Sequence, residues 1–220
     1  MATFDLVIFD LDGTLVDSLP DIAAALNHVL RRAGMSPLPL AQVGGYVGDG
    51  AAKLVQRALP HGAAPERFEA LLADFRTTYA QHLVVETRPY PGVESLLQRL
   101  AASMPLAVLT NKPSALAGPL LEALGLTRHF AHVVGDGDGF ARKPDPAAGH
   151  WLMRQHNAGP GRALVVGDGL PDVGFAQALG VPAAAVTWGY TARDRLAAEH
   201  PTWLVDAPAD LLEIVFGTGQ

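Results

Sequence analysis

Short, continuous apolar runs alternate along this chain with segments of helical periodicity. The runs are apolar on consecutive residues, a pattern typical of strands in a sheet that is covered on both faces. They occupy Phe4–Asp10, Pro105–Thr110, His132–Gly135, Ala163–Gly167, Ala183–Trp188 and Trp203–Asp206. Helical patterns lie between several of them, at Val93–Ser103, Ala115–Leu124 and Pro171–Leu179. Strand–helix alternation of this kind predicts an α/β fold with a doubly wound, mostly parallel sheet.

One region interrupts the alternation. From about Asp17 to Glu86 the sequence contains no strand pattern, and its periodic stretches are helical: Pro20–Ala33, Gly50–Leu59 and Pro65–His82. We therefore predict a helical cap domain, residues 17–86, inserted after the first strand of an α/β core domain. The core domain would comprise residues 1–16 and 87–220, which is enough chain to bury a substantial core.

Composition and charge exclude several classes of protein. The chain contains no cysteine, so a disulfide framework, a thiolate metal site and a thiol nucleophile are excluded, and a reducing compartment is indicated. The first thirty residues lack the Lys and Arg of a secretory signal, and no apolar run is long enough to span a bilayer. A net charge of −6 without a basic stripe argues against nucleic acid as a partner. These features predict a cytoplasmic protein.

Two carboxylates end the first apolar run. Asp10 and Asp12 are separated by one leucine, and side chains alternate along a strand, so both point to the same side. Burying carboxylates costs several kcal/mol unless another group compensates their charge. Ligands of open α/β sheets bind beyond the carboxyl ends of the strands. The other strand ends supply further polar groups there, namely Thr110, Asn111 and Lys112, then Lys143, then Asp168 and Asp172.

Four carboxylates, a lysine (Lys143) and the hydroxyl of Thr110 thus converge at one edge of the predicted sheet. Four negative charges in a site poor in water require a cation. The ligands are oxygen atoms, with no His or Cys among them, and such sites favour a hard ion such as Mg²⁺. The sequence therefore predicts a magnesium site.

These residues resemble the motifs of one enzyme superfamily. The segment DLDGT, residues 10–14, is similar to the signature of the haloacid-dehalogenase-like (HAD) hydrolases. Thr110 resembles the second motif of that superfamily, Lys143 the third, and the pair Asp168 and Asp172 the fourth. The motifs occur in the expected order across nearly the whole chain. The helical insert resembles the cap of the first cap subclass, which implies a Rossmann-like HAD core.

The resemblance implies a Mg²⁺-dependent phosphomonoester hydrolase. Asp10 would be the nucleophile that forms an aspartyl-phosphate. Asp12 would protonate the leaving alcohol and then deprotonate the hydrolytic water. Mg²⁺ would be bound by Asp10, by the backbone carbonyl of Asp12 and by Asp168.

The same resemblance implies roles for the remaining motif residues. Lys143, the Thr110 hydroxyl and the Asn111 amide would bind the substrate and stabilise charge on the transferred phosphoryl group. Asp172 would orient Lys143 or a metal-bound water. It also suits the N-terminal cap of the following helix, and it can do both.

The cap carries a finer resemblance. Tyr46–Leu59, YVGDGAAKLVQRAL, is similar to a stretch of bacterial phosphoglycolate phosphatases, which implies 2-phosphoglycolate as the substrate. None of the core motifs supplies a residue that would bind the carboxylate of such a substrate. We predict that Gly48, Gly50 and Lys53 bind it, since backbone N–H groups before a helix attract anions and glycine permits close approach. The alternative is a tight turn at the glycines and a solvated lysine.

Other functions stay open. A different small sugar or amino-sugar phosphate would suit the same motifs, and sugar phosphomutases of the superfamily also keep the second aspartate. A non-catalytic phosphate-binding regulator is disfavoured, because binding alone needs neither Asp10 nor Asp12. The expected partner is a small phosphate ester, with no nucleic acid and no membrane. Both a monomer and a homodimer are compatible with the sequence.

Overall fold

The computed structural model describes residues 3–159 and 161–217. Its strands are β1 (Leu6–Phe9), β2 (Val16–Asp17), β3 (Arg88–Pro89), β4 (Leu106–Pro113), β5 (His132–Asp136), β6 (Ala163–Gly167), β7 (Ala183–Val186) and β8 (Trp203–Val205). Its helices are α1 (Leu19–Arg32), α2 (Leu40–Gly44), α3 (Ala51–Ala58), α4 (Pro65–Gln81), α5 (Val93–Ala101), α6 (Ser114–Ala123), α7 (Ala147–Gln155), α8 (Leu170–Leu179), α9 (Arg193–Ala198) and α10 (Asp210–Phe216). A short 3₁₀ turn, Thr127–His129, precedes β5.

The main sheet is parallel throughout the described residues, with strand order β5-β4-β1-β6-β7-β8. Strand β1 shows why the apolar runs are continuous. Val7 and Phe9 pack on one face against α5, α6 and α10, whereas Leu6 and Ile8 pack on the other face against α7 and α8. Both faces are therefore buried. The prediction of a doubly wound parallel α/β sheet is confirmed.

Helices α1 to α4 follow β2 and precede β3, and they surround an apolar cluster of their own that includes Leu26, Val55 and Phe75. The predicted helices of this region are present. Helix α2 was not expected, because five residues are too few to show a helical period. Strands β2 and β3 pair antiparallel for two residues each and were missed for the same reason. The cap boundaries at residues 17 and 86 stay a prediction.

A buried carboxylate ties α1 to the chain that returns from these helices. Asp21, in the first turn of α1, is only 3% exposed. It accepts hydrogen bonds from the backbone N–H groups of Val85 (2.9 Å), Glu86 (3.0 Å) and Thr87 (2.9 Å), and from the Thr87 hydroxyl (2.7 Å). The contact fixes the segment just before β3, where the helical region rejoins the sheet. Among the described residues, no helix combines the length and apolar content that crossing a bilayer requires.

Candidate active site

The predicted site residues meet at the carboxyl ends of adjacent strands. Asp10 directly follows β1, Asp168 directly follows β6, and Asp172 lies in the first turn of α8. Strand β4 continues past its predicted end at Thr110 as far as Pro113, and its register with β5 shifts between Leu109 and Pro113. Thr110, Asn111 and Lys112 lie in this irregular stretch, at the same edge of the sheet as Asp10. The loop between β5 and α7 supplies Lys143.

Lys143 bridges two of the aspartates. Its Nζ lies 2.8 Å from Oδ1 of Asp10 and 2.5 Å from Oδ1 of Asp172. Burial alone would lower the pKa of Lys143, but the two carboxylates raise it above its usual range. The backbone N–H of Gly169 donates to the other oxygen of Asp172 at 2.9 Å. Asp172 therefore contacts the lysine and caps α8 at the same time, while its predicted role toward a metal-bound water stays a prediction.

Asp168 is held by two loops. The hydroxyl of Thr14 donates to its Oδ1 at 2.9 Å, and the backbone N–H of Tyr190 donates to its Oδ2 at 2.8 Å. A Cβ added to Gly13 or Gly189 would overlap its carboxylate, so both glycines make room for it. Burial raises the pKa of Asp168 well above its usual range, and the nearby charges of Asp10 and Asp172 raise it further.

The acidic cluster fits a divalent cation. Oxygen atoms of Asp10, Asp168 and Asp172 all lie within 4.8 Å of one another. Burial raises the pKa of Asp10 to about 6 against the opposing effect of Lys143, so the protein alone does not fully compensate this carboxylate. With Asp12, the site contains four carboxylates and two ammonium groups, those of Lys112 and Lys143, which leaves two negative charges. One divalent ion with oxygen ligands would neutralise them.

Lys112 pairs with Asp12, and no role was predicted for it. Its Nζ lies 3.0 and 3.1 Å from the two carboxylate oxygens of Asp12 and 2.6 Å from the hydroxyl oxygen of Tyr79 on α4. Ser18 also donates a hydrogen bond to Asp12, at 2.6 Å. Lys112 stands two residues after Thr110 on the same strand, a spacing that indicates the same side. That spacing was the signal that could have identified it.

Asn111 forms hydrogen bonds both to the cap and to the loop that contains Lys143. Its Nδ2 donates to the backbone oxygen of Gly48 at 3.0 Å, and its Oδ1 accepts from the backbone N–H of Lys143 at 2.9 Å. The amide thus has partners in both parts of the protein, and its predicted contact with a phosphoryl group stays a prediction. Thr110 is 5% exposed, and its Oγ1 accepts from the backbone N–H of Lys112 at 3.2 Å, which leaves its hydroxyl hydrogen to donate.

A cavity that is partly open to solvent lies between the helical region and the ends of β1 and β4. Asp10, Asp12, Thr110 and Lys112 line its floor, and much of the remaining wall is apolar: Ile22, Val47, Leu54, Phe75 and Leu116. Tyr79 also lines it. Burial raises the pKa of Tyr79 to about 12, so its hydroxyl keeps its proton at neutral pH.

The predicted cap residues divide into two groups. Gly48 and Gly50 line the cavity, both with positive φ, and a Cβ on Gly50 would lie 3.2 Å from the backbone oxygen of Asn111. Lys53 is exposed and donates to Gln56 at 3.1 Å. It lines a separate surface groove instead of the cavity. Its substrate contact stays a prediction to which this placement gives no support.

The fold and the site define a class: α/β proteins with a helical cap over a buried carboxylate and lysine centre at the ends of parallel strands. This chain belongs to the haloacid dehalogenase-like hydrolase family, whose family model matches residues 7–186.

Similar proteins are known in several bacteria. Phosphoglycolate phosphatase 1 of Pseudomonas aeruginosa is 42% identical over 214 residues, which cover 94% of this chain and 78% of that protein. A phosphoglycolate phosphatase of Agrobacterium fabrum is 44% identical over 193 residues, or 84% of this chain and 82% of that protein. A crystal structure of a predicted phosphoglycolate phosphatase from Haemophilus somnus superimposes with a TM-score of 0.92 at 33% identity, covering 97% of this chain and 99% of the other.

Proposed function

We propose that this chain is a Mg²⁺-dependent phosphatase that hydrolyses 2-phosphoglycolate to glycolate and inorganic phosphate through an aspartyl-phosphate. The observation that carries the proposal is the placement of Asp10 and Asp12 on the floor of one cavity, each next to its own buried lysine. Relatives named phosphoglycolate phosphatase, at 42% and 44% identity over most of the chain, support the choice of substrate.

In the first step a carboxylate oxygen of Asp10 attacks phosphorus. The bond between phosphorus and the ester oxygen breaks, and its electron pair leaves with the glycolate oxygen, which takes a proton from Asp12. Lys143, held 2.8 Å from Asp10, keeps the attacking carboxylate in place and offers positive charge to the phosphoryl oxygens. The free hydrogen of the Thr110 hydroxyl is available to the same oxygens.

The second step hydrolyses the aspartyl-phosphate. Asp12 takes a proton from a water molecule, whose oxygen attacks phosphorus while the bond from phosphorus to Asp10 breaks. The products are inorganic phosphate and the original Asp10 carboxylate, with Asp12 protonated again for the next cycle. Ser18 and Lys112, which hold Asp12 at 2.6 and 3.0 Å, keep it on the cavity side of the strand during both steps.

The residues that would hold Mg²⁺ are Asp10, Asp168 and the backbone carbonyl of Asp12. When bound, the ion would neutralise charge on the phosphoryl group and on the carboxylates around it. Asp168 is fixed by Thr14 and Tyr190, so its oxygens are positioned before a ligand arrives. Asp172 is the weaker candidate ligand, because one of its oxygens is paired with the ammonium group of Lys143 and the other accepts the backbone N–H that caps α8.

The apolar cavity wall favours a small substrate over the alternatives. Ile22, Leu54 and Phe75 offer no hydrogen bonds to the hydroxyl groups of a sugar phosphate, the substrate of the second candidate and of a phosphomutase. A non-catalytic regulator would not need both aspartates on the cavity floor. A cytoplasmic location and a monomeric or homodimeric state complete the proposal.

Phosphate release over a panel of esters tests it. The panel would contain 2-phosphoglycolate, glucose 6-phosphate, an amino-sugar phosphate and p-nitrophenyl phosphate, each assayed with Mg²⁺. We expect the highest kcat/KM for 2-phosphoglycolate. A higher kcat/KM for a sugar phosphate would indicate that the substrate belongs to the alternative class, the sugar and amino-sugar phosphates. Interconversion of sugar phosphates without phosphate release would indicate a phosphomutase.

A further inference from the structure

The cavity floor presents one cation that the core motifs do not use. Among the described residues that line the cavity, Lys112 alone carries a positive charge. Two other cations nearby are paired with carboxylates that do not line the cavity. Arg57 pairs with Asp49, and Arg142 lies 2.6 Å from Asp136. A second anion in the cavity would therefore meet the ammonium group of Lys112.

Tyr79 adds a free donor at the same point. Its hydroxyl oxygen accepts a hydrogen bond from Lys112, so the hydrogen of its own hydroxyl remains to be donated. No described residue accepts that hydrogen, although Tyr79 is only 2% exposed and its side chain lines the cavity. A buried hydroxyl without an acceptor is unfavourable until a ligand supplies one.

We propose that Lys112 and Tyr79 form a subsite that binds a carboxylate of the substrate, one methylene away from the phosphate ester. This inference rests on the proposed function and extends it to the residues that select the substrate. Two N–H groups of Lys112 point to Asp12, and Asp12 also accepts from Ser18. One of those N–H groups can therefore turn to the substrate without leaving Asp12 unpaired.

The distances suit a short substrate. Asp12 must reach the ester oxygen at hydrogen-bond distance, roughly 3 Å. Lys112 Nζ lies 3.0 Å from the same carboxylate. In 2-phosphoglycolate only one methylene separates the ester oxygen from the carboxylate, so both groups fall within reach of this pair. The subsite would also place the carboxylate beside the Tyr79 hydroxyl, which is 2.6 Å from the ammonium.

The experiment compares two esters of similar size, 2-phosphoglycolate and ethyl phosphate, on the full chain with Mg²⁺. We expect Tyr79→Phe and Lys112→Met to lower kcat/KM for 2-phosphoglycolate about ten- to a hundredfold more than for ethyl phosphate. For Tyr79→Phe the selective loss should fall mainly on KM. Lys112→Arg, which keeps the charge, should recover part of the preference. Arg76→Met, at an exposed position on α4, should change neither substrate.

Several results would overturn the subsite. Equal losses on both esters would assign Lys112 and Tyr79 to the support of Asp12 or of the fold. If kcat/KM for 2-phosphoglycolate fell selectively in Lys53→Met, and not in Lys112→Met or Tyr79→Phe, the substrate carboxylate would be bound at α3 instead. If Lys112→Met does not fold, Tyr79→Phe decides the question, because it removes one oxygen atom and preserves the packing.

The wild-type protein separates failure of the subsite from failure of the proposed function. Equal kcat/KM for ethyl phosphate and 2-phosphoglycolate would overturn the subsite and leave phosphatase activity standing. A higher kcat/KM for phospholactate than for 2-phosphoglycolate, together with a preference for phospholactate over isopropyl phosphate, would overturn the proposed substrate and support the subsite. The same variants would then be measured on that second pair.

Discussion

Gly189 lies directly against the carboxylate of Asp168, so closely that a Cβ at Gly189 would overlap it. The next residue, Tyr190, donates its backbone N–H to the same carboxylate at 2.8 Å. The loop after β7 therefore fixes one face of the proposed metal site by contact and by hydrogen bonding together. Because no positive φ is involved at Gly189, a side chain there would act through its volume.

We predict that Gly189→Ala displaces Asp168 and weakens Mg²⁺ activation. The expected result is a rise of at least about tenfold in the Mg²⁺ concentration for half-maximal activity, the scale of losses when groups that position a ligand are disturbed. A Mg²⁺ titration of phosphate release measures it. The matched control is Gly118→Ala in α6, where an added Cβ has no neighbour within 4 Å. An unchanged titration for Gly189→Ala would show that Asp168 does not bind the ion.

The second prediction concerns the two cavity aspartates. Asp10→Asn should abolish both turnover and phosphoenzyme formation, because an amide cannot replace the attacking carboxylate. Asp12→Asn should still bind metal through its backbone carbonyl, while losing proton transfer worth about 10²–10⁴-fold in rate. Steady-state kinetics and trapping of labelled phosphoenzyme test the pair. Normal turnover by Asp10→Asn would exclude the covalent mechanism.

The third prediction is that Lys143→Met destabilises the fold. The change leaves Asp10 and Asp172 buried without their shared cation, which costs about 3–5 kcal/mol. Urea unfolding in EDTA, where no metal compensates the carboxylates, measures the loss. Arg99→Met, at an exposed position on α5, is the control and should change the free energy of unfolding by less than about 0.5 kcal/mol. Similar stability of the two variants would argue against the ion-paired arrangement.

The fourth prediction is a pH-dependent contribution of Asp21. Burial raises its pKa, but hydrogen bonds from Thr87, Glu86 and Val85 outweigh burial and lower it below its usual range. The ionised form is therefore favoured by folding. Its stabilisation is complete above the pKa of the unfolded chain, about 3.9, and is lost as the pH falls through the lower folded pKa.

We expect Asp21→Asn to cost about 1–3 kcal/mol of unfolding free energy at pH 7. The difference from wild type should shrink as the pH drops below about 4, where the wild-type carboxylate also takes up a proton. Urea unfolding at pH 7, 5 and 3.5 measures the trend. Asp74→Asn, exposed on α4, is the control. A difference that does not depend on pH would mean that charge on Asp21 is not what fixes the segment before β3.

The fifth prediction concerns the metal. EDTA should abolish phosphate release and added Mg²⁺ should restore it, because the acidic cluster retains uncompensated negative charge. Excess Ca²⁺ should inhibit, since its larger and looser ligand shell disturbs the alignment of nucleophile and leaving group. Phosphate release after exhaustive chelation measures the dependence. Full activity without a divalent ion would contradict the proposed site.

Much of the fold follows from local patterns. The apolar runs predict strands buried on both faces, and Leu6 to Phe9 bear this out by packing alternate side chains against helices on opposite faces. The same patterns place Asp10 and Asp168 directly after strands and Thr110 in the last part of β4, where a parallel sheet brings them together. Strands β2 and β3, in which Val16 and Asp17 pair with Arg88 and Pro89, are too short to show a periodic pattern in the sequence.

The lysine that lines the cavity could be identified only from the tertiary structure. The glycine-rich helix start before Lys53 favours this lysine as a ligand, but α3 turns Leu54 and Val55 into the cap core and leaves Lys53 exposed. Lys112 lies 100 residues from Asp12 and 33 from Tyr79, and only the packing of α4 over the sheet brings the three together. The sequence by itself determined the sheet and the acidic motifs, since these depend on periodicity and strand ends. The tertiary structure decided which lysine faces the cavity, because that depends on how the cap packs against the core.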